Sequence, residues 1–185
     1  MLRIFIAITT PPALQQALED VRASFQSLPL AFRWVAPSHL HATLKFLGDV
    51  PETKLAMVFD ALTCATTGQQ PFVLTAKALG CFPHTTRPRV LWMGLDDPHH
   101  RLVKVYQRID AALTEVGFPP DERPFQPHLT LARIRQPISC QPFNVLLFSY
   151  KDRCFGEIVV DKIQVMQSQL HATGPIYTVL HTALL

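Results

Sequence analysis

Two segments of the sequence share a histidine followed two residues later by a threonine, each at the start of an apolar run. His41 and Thr43 begin HATLKFLG, and His128 and Thr130 begin HLTLARI. In a strand, side chains at positions i and i+2 point to the same face, so each imidazole projects beside its hydroxyl while the apolar residues between face the core. Imidazole can give or take a proton near neutral pH, and these two pairs are therefore candidates for acid–base chemistry.

The tripeptide alone is weak evidence, because H-x-[S/T] occurs four times in this sequence. His84 lies in CFPHTTRPR, a proline-flanked loop, and His171 leads into Thr173 and the Gly-Pro pair of a turn. Only the other two matches open apolar strands. One such strand would be an ordinary half-exposed strand with a polar face, but two matched strands favour a site.

Helical and strand-like segments surround these two strands. Thr9 and Thr10 before Pro11 and Pro12 indicate a helix start with a hydroxyl cap, and apolar residues at helical spacing follow. Two further helices are predicted to begin near Asp49 and Asp97, with a weak one within 137–152, and strands are predicted at 2–8, 33–35, 41–47, 72–79, 90–95, 128–134, 158–167 and 176–184.

The order of elements is mixed and predicts an α+β fold, with helices packed outside one or two sheets. A strand, a helix and an H-x-T strand occur in the first 48 residues and again from Val90 through Asp97 to His128. The two histidines are 128 − 41 = 87 residues apart, which fits duplication of a half-chain unit. We therefore expect residues 1–185 to form a single two-lobed domain with a central groove between the matched strands.

Composition narrows the class of protein. The 185 residues, 48% of them hydrophobic, suffice for a sizeable core. A net charge of +3 and a pI near 8.8 suit a phosphate-bearing ligand, whereas a dedicated duplex binder would carry a larger basic patch. Four widely spaced cysteines without a C-x-x-C pair indicate reduced thiols. The apolar start is too short for a signal peptide and no stretch approaches the ~20 apolar residues of a membrane span, so we expect a soluble cytoplasmic protein with no membrane partner.

Longer blocks around the two motifs resemble the RNA 2′,3′-cyclic phosphodiesterase family (2′-5′ RNA ligase, LigT-like) of the two-histidine phosphoesterases. The similar segments follow the family's order and span essentially the whole chain: RWVAPSHLHATLKFLGDV, GCFPHTTRPRVLWMGL, FQPHLTLARIR and SQLHATGPIYTVL. The resemblance implies pseudo-duplicated, antiparallel-rich sheets, and it assigns catalysis to His41 and His128 and phosphate binding to Thr43 and Thr130. One departure is an extra histidine, His39, which the preceding proline and serine place in a turn.

The resemblance implies hydrolysis of a terminal 2′,3′-cyclic phosphate to a 2′-phosphate with a free 3′-hydroxyl. Two imidazoles on opposite sides of one phosphorus suit in-line displacement, one as base and one as acid. We favour His128 as the base that activates water and His41 as the acid, although the sequence leaves this direction open. The threonine hydroxyls would hold the non-bridging oxygens. The scheme needs no metal and no cofactor, and ligation to a 2′-5′ linkage is expected to be secondary.

The fifth residue after each histidine is Phe46 in the first motif and Arg133 in the second. An aromatic ring and a guanidinium plane both stack well on an unpaired base, so both are candidate substrate contacts. Strand parity places each on the face opposite its histidine, so this role requires a strand end or a bulge. The alternatives are a core phenylalanine and a solvated arginine, or an arginine on phosphate. Lys45 shares the face of His41 by parity and is predicted to add positive potential to the groove.

Two other classes of protein stay open. A metal hydrolase would use histidine ligands, but spacings such as H-E-x-x-H are absent and Asp49 is the only carboxylate near the motifs. A non-catalytic RNA-end or nucleotide-binding module would keep the groove without the chemistry, and the intact histidines and threonines argue against it. The expected partners are RNA termini with a 2′,3′-cyclic phosphate, cyclic nucleotides or 2′-5′-linked oligonucleotides, bound by a monomer.

Overall fold

The computed structural model describes residues 1–136, 140–172 and 174–185, and in these ranges the chain forms nine strands and four α-helices. None of these helices is long and apolar enough to cross a lipid bilayer. The strands are β1 (Leu2–Thr9), β2 (Phe32–Trp34), β3 (His41–Val50), β4 (Phe72–Phe82), β5 (Val90–Asp96), β6 (His128–Ile134), β7 (Cys154–Val160), β8 (Lys162–His171) and β9 (Gly174–Leu184), and the helices are α1 (Pro12–Phe25), α2 (Leu55–Thr66), α3 (Arg101–Glu115) and α4 (Gln141–Ser149).

The nine strands form one antiparallel sheet in the order β7-β4-β5-β6-β3-β1-β8-β9, with the short β2 paired to β6. The sheet is narrow at its centre, because within the described residues β3 and β6 are in register at one pair, Ala42 and Leu129. We call β3, β1, β8 and β9 the first lobe, and β6, β5, β4, β7 and β2 the second lobe. The predicted α+β, two-lobed and antiparallel architecture is confirmed, with both lobes joined in a single sheet.

Helices cover the outer face of each lobe. Each half of the chain supplies one helix to the first lobe and one helix to the second lobe. Although α1 follows β1, it packs on the second lobe, where it contacts β7 and the Phe25 ring lies 5.9 Å from that of Phe143 in α4. Although α3 follows β5, it packs beside α2 on the first lobe, where Arg108 Nε donates a 2.9 Å hydrogen bond to the carbonyl oxygen of Ala65. The two H-x-T strands, β3 and β6, lie side by side at the centre of the sheet.

The apolar residues at helical spacing in α1 are buried, so the predicted helix face is confirmed. The predicted hydroxyl cap is wrong: Pro11 precedes the helix without a capping side chain. Thr10 instead donates a 2.9 Å hydrogen bond to the carbonyl oxygen of Leu40, the residue before β3. Each fully buried aliphatic side chain contributes about 1.5–3 kcal/mol, so the helix is held by its buried face rather than by a cap. The buried residues of α1 are Leu14, Leu18, Val21 and Phe25.

The prediction of one strand over 158–167 is wrong. The chain turns at Asp161, and β7 pairs with β4 in the second lobe while β8 pairs with β1 in the first. Apolar residues flank this turn on both sides, and Asp161 and Lys162 are a short polar interruption without glycine or proline, so the turn was not recognised from the pattern. The weak helix within 137–152 is confirmed as α4, while residues 137–139 lie outside the described residues, as does Thr173.

Candidate active site

The two H-x-T strands border one groove between the lobes. The groove encloses about 1020 Å³, and it is lined by His41, Thr43, His128 and Thr130 together. All four side chains are half-buried, whereas the residue between each histidine and its threonine is buried. The alternation predicted from the sequence is therefore confirmed, and it brings two imidazole–hydroxyl pairs to a single cavity.

Each histidine is oriented by the same kind of hydrogen bond. Nδ1 of His41 lies 2.6 Å from the carbonyl oxygen of His39, and Nδ1 of His128 lies 2.7 Å from that of Gln126. Because a carbonyl oxygen can only accept, Nδ1 carries the proton in both rings, and Nε2 is the nitrogen left for a substrate. The turn predicted for His39 is confirmed as a 3₁₀ turn at Pro37–His39, and this residue orients His41 through its backbone.

Aromatic rings that the sequence analysis missed enclose His41. The rings of Phe5 and Tyr177 lie 5.0 Å and 5.3 Å from the imidazole, and the His39 ring lies 4.8 Å from that of Tyr177. Burial lowers the pKa of His41 below its usual 6.5, and positive charge on His39 and on His128 lowers this pKa further. The hydrogen bond to the His39 carbonyl acts in the opposite direction. The neutral ring is therefore favoured in the free protein.

A second pair of aromatic rings encloses His128. The Phe82 ring lies 5.0 Å away at nearly a right angle, and the Trp92 ring lies 6.4 Å away. Gly80 makes room for this indole, because a Cβ there would lie 2.1 Å from a Trp92 ring carbon. Burial lowers the pKa of His128 from 6.5, against the effect of its hydrogen bond to the Gln126 carbonyl. Phe82, Trp92 and Tyr177 all lie in segments that carried the family resemblance, a signal that could have found them.

A β-bulge at the same place in both motifs changes which residues face the groove. Leu44 in β3 and Leu131 in β6 are each the extra residue opposite consecutive residues of the partner strand. Each bulge shifts the alternation by one, so Phe46 and Arg133 return to the face of the histidines. Both line the groove, and Phe46 is 60% exposed with its ring 5.6 Å from that of Phe5. The bulge that their predicted role required is present.

The bulge in β3 also turns Lys45 away from the strand face of His41, although its buried side chain still borders the cavity beside the loop after α3. Its side chain is only 2% exposed, and its ammonium group pairs with Asp110 of α3, lies 3.6 Å from Asp121 and donates a 2.9 Å hydrogen bond to the carbonyl oxygen of Pro119. The prediction that Lys45 shares the face of His41 and adds positive potential to the groove is wrong, because the bulge reverses its parity and two carboxylates take up its charge. Lys45 instead ties β3 to α3 and to the loop after it.

The loop after α3 forms one wall of the groove. Tyr106 of α3 donates a 3.1 Å hydrogen bond from its hydroxyl to Asp121, and its ring stacks on Phe125 with centroids 4.1 Å apart. Burial and the charges of Asp121 and Asp110 raise the pKa of Tyr106 to about 12, so the phenol stays protonated and continues to donate. Lys45 and Tyr106 therefore hold this wall from two sides.

The other candidate histidines lie away from the groove. His84 and His171 are exposed, and neither borders the cavity. The predicted loop at His84 is confirmed, whereas the prediction that His171 leads into a turn with Gly174 and Pro175 is wrong, because His171 is the last residue of β8 and these two residues begin β9. Across residues 1–136, 140–172 and 174–185, no group of three or more His, Cys, Asp or Glu side chains is placed to hold a metal ion.

Paired imidazoles and hydroxyls, one pair from each lobe of an antiparallel two-lobed fold, define a two-histidine site suited to an anionic ester. A family model described as LigT like phosphoesterase matches residues 8–92 and 95–177, so each half of the chain carries one H-x-T motif within a matched segment. The chain belongs to the LigT-like phosphoesterase family.

Individual relatives match over nearly the whole chain. A protein of Aquifex aeolicus named RNA 2′,3′-cyclic phosphodiesterase is 33% identical over 181 residues, which cover 97% of this chain and 95% of that protein. A protein of Methanothermobacter thermautotrophicus with the same name is 30% identical, with 95% of both chains covered. Among solved structures, TT0787 of Thermus thermophilus has a TM-score of 0.83 and 27% identity, and E. coli LigT complexed with 3′-AMP has 0.82 and 26%; each match covers 100% of this chain and 98% of the other.

Proposed function

We propose that this protein hydrolyses the 2′,3′-cyclic phosphate at the end of an RNA strand to a 2′-phosphomonoester. The observation that carries the proposal is the pair of imidazoles, His41 and His128, each held through Nδ1 and each leaving Nε2 for a substrate in one groove. The names of the relatives from Aquifex aeolicus and Methanothermobacter thermautotrophicus support the choice of substrate.

The proposed reaction is an in-line displacement at phosphorus. His128 accepts a proton from water through Nε2, and the water oxygen attacks the phosphorus. The bond from phosphorus to the ribose 3′ oxygen breaks, and His41 donates its proton to that oxygen. Positioned acid–base catalysis of this kind contributes about 10²–10⁴-fold. No step needs a metal ion, since the two imidazoles supply both proton transfers.

Thr43 and Thr130 are proposed to hold the two non-bridging oxygens. Each hydroxyl lies on the same strand face as its histidine and borders the same cavity. A hydroxyl aimed at an oxygen whose charge must be held during displacement stabilises the transition state more than the ground state. The threonines should therefore act on kcat more than on KM.

The base of the terminal nucleotide is proposed to lie against Phe46 or Arg133. The two occupy equivalent positions of the two motifs, after equivalent bulges, and both border the groove. The exposed Phe46 ring offers a stacking surface, and the Arg133 guanidinium offers either a stacking surface or a donor to phosphate. Lys45 has no part in this contact, because its charge is taken up by Asp110.

The proposal is tested with a 2′,3′-cyclic mononucleotide as substrate. We expect turnover by the wild type, with and without EDTA, and a loss of at least about 10²-fold for both His41→Ala and His128→Ala. Equal turnover by all three proteins would reject the mechanism, and loss of activity in EDTA would reject the metal-free scheme. Product analysis should give the 2′-phosphate alone. Binding without turnover would instead favour a non-catalytic RNA-end or nucleotide-binding module.

The direction of proton transfer needs a separate experiment. A substrate in which sulfur replaces the bridging 3′ oxygen has a leaving group that needs no protonation. If His41 is the acid, His41→Ala should recover most of its activity on this substrate while His128→Ala should not. The opposite pattern would exchange the two roles. A 5′-hydroxyl of a second RNA strand in place of water would give the 2′-5′ linkage, which we propose as a secondary reaction.

A further inference from the structure

Two arginines stand directly opposite each other at the end of the groove in the second lobe. Arg33 of β2 and Arg133 of β6 are register partners in an antiparallel pair, so their side chains share one face of the sheet with Cβ atoms about 4.5–5.5 Å apart. Both are exposed. On the opposite face, the neighbouring Phe32 packs its ring edge-on against Phe25 in the core. The paired arginines therefore occupy the groove face.

This face continues the candidate active site. Arg133 and Val90, its register partner in β5, line the groove, and so does Val35, two residues beyond Arg33 on the same side of its strand. The charge of Arg133 is close enough to Tyr177 to lower the pKa of that phenol against the stronger effect of burial. Arg133 thus borders the groove. Arg33 lies beside it on the neighbouring strand β2, just beyond the residues that line the cavity.

No carboxylate neutralises this pair within the part of the chain that the structure describes. The four ion pairs found there join Arg22 to Glu19, Lys45 to Asp110 and to Asp121, and Lys151 to Asp152. Two more exposed arginines flank the pair: Arg89 accepts a backbone hydrogen bond from Ile134, and Arg135 donates one to Ala31. Like charges directly opposite in a sheet are destabilising, and an anion between them would relieve the repulsion.

We propose that Arg33, together with Arg133, binds the phosphodiester on the 5′ side of the terminal nucleotide of an RNA substrate. This inference rests on the proposed function, because it assumes that the cyclic phosphate lies between the two H-x-T motifs. The next anionic group of the strand is then that phosphodiester, and the unneutralised guanidinium pair at the groove end is its binding site. In the first lobe, the position equivalent to Arg133 is occupied by the apolar Phe46, which offers no group that binds a phosphate. The RNA that precedes the terminal nucleotide is therefore expected to lie over the second lobe.

The test compares three substrates that end in a 2′,3′-cyclic phosphate. They are the mononucleotide, a dinucleotide with a normal phosphodiester, and the same dinucleotide with an uncharged methylphosphonate linkage. The wild type should prefer the phosphodiester dinucleotide in kcat/KM, and the preference should fall as salt is raised. Arg33→Gln should lose about tenfold on that substrate and keep its activity on the other two. Arg33→Lys should keep part of the preference, and Arg101→Gln, an exposed arginine at the start of α3, should keep all of it.

Two outcomes would overturn the inference: an equal loss by Arg33→Gln on all three substrates, or no loss on any. The melting temperature gives an independent measure, since removing one of two facing like charges should leave it equal or higher. A clear drop would mean that Arg33 stabilises the fold, and it would contradict the role given to the pair. If the wild type hydrolyses none of the substrates, the proposed function fails, while the affinity of wild type and Arg33→Gln for the charged and uncharged dinucleotides still tests the phosphodiester site.

Discussion

Ala42 of the first lobe lies directly opposite Leu129 of the second, and at this pair β3 and β6 are joined. Each of the two follows a site histidine by one position, so the same register places both imidazoles at equivalent points beside the junction. Both residues are buried, at 2% and 0% exposure. The relative position of the two histidines is thus set by packed strand backbone rather than by loops.

Replacing the threonine hydroxyls should lower the rate of the chemical step. Thr43→Val and Thr130→Val remove one hydroxyl each at nearly constant volume, and each should lower kcat about 10–10³-fold with a smaller change in KM. Steady-state kinetics on a 2′,3′-cyclic mononucleotide measure both constants. Thr178→Val, on the exposed surface of β9, is the matched control. A rise in KM with unchanged kcat would assign the threonines to ground-state binding only.

The rate should depend on pH through both imidazoles. In the proposed reaction one imidazole is neutral and the other protonated, so kcat/KM should follow a bell-shaped profile with two apparent pKa values that belong to the pair. Because burial lowers the pKa of His41 and of His128 below 6.5, the optimum in the free enzyme should lie on the acid side of that value. A profile centred well above it would contradict the burial of the two rings.

Stability should depend on pH for the same reason. The folded pKa of His128 is below its unfolded value of 6.5, so the unfolded chain binds more protons as the pH falls. The stabilising contribution is complete above 6.5 and is lost as pH decreases through the folded pKa. Between about pH 7.5 and pH 5, the melting temperature of the wild type should fall more than that of His128→Asn, which lacks this titration. If the melting temperatures of the two proteins fell equally with pH, the titration of His128 would not contribute to the pH dependence of stability.

Lys45→Met should weaken the fold and loosen the groove wall. It leaves Asp110 without its buried partner, and we expect a loss of about 2–3 kcal/mol in the free energy of unfolding, less than for a fully buried pair because Asp110 is 19% exposed. The same change should raise KM, since Lys45 also holds the loop after α3. Urea unfolding and steady-state kinetics measure the two effects.

Arg22→Ala is the control for this variant. It breaks an ion pair with Glu19 whose side chains are 52% and 41% exposed, and it should cost less than about 1 kcal/mol and leave KM unchanged. Equal losses of stability in the two variants would show that burial of Lys45 adds nothing to its ion pairs.

Phe46→Ala and Arg133→Ala should raise KM for a cyclic mononucleotide more than they lower kcat. Loss of one stacking partner costs about 1–3 kcal/mol of binding. Phe46→Trp should retain the affinity, because the larger ring still stacks. Since Phe46 is 60% exposed, its truncation should leave the melting temperature nearly unchanged. An unchanged KM in both alanine variants would reject the base-stacking role.

The strand alternation around His41 and His128 could be predicted because it depends on local spacing alone. Beyond each threonine, strand alternation predicted the wrong face of the sheet. The prediction failed for Lys45 in β3 and for Arg133 in β6. The bulges at Leu44 and Leu131 are defined by the register with β1 and β5, strands distant in the sequence, and no glycine marks either one. Tyr177 could not be predicted for the same reason. It lies beside His41 because β8 pairs with both β1 and β9, and these pairings join segments distant in the sequence.

Neither lobe is built from a continuous piece of the chain. The first half places α1 and β4 in the second lobe, and the second half places α3, β8 and β9 in the first lobe. A cut between the two halves would therefore leave each fragment with an incomplete sheet and an incomplete helical cover in both lobes. The two lobes should unfold together as one cooperative unit rather than as two independent domains.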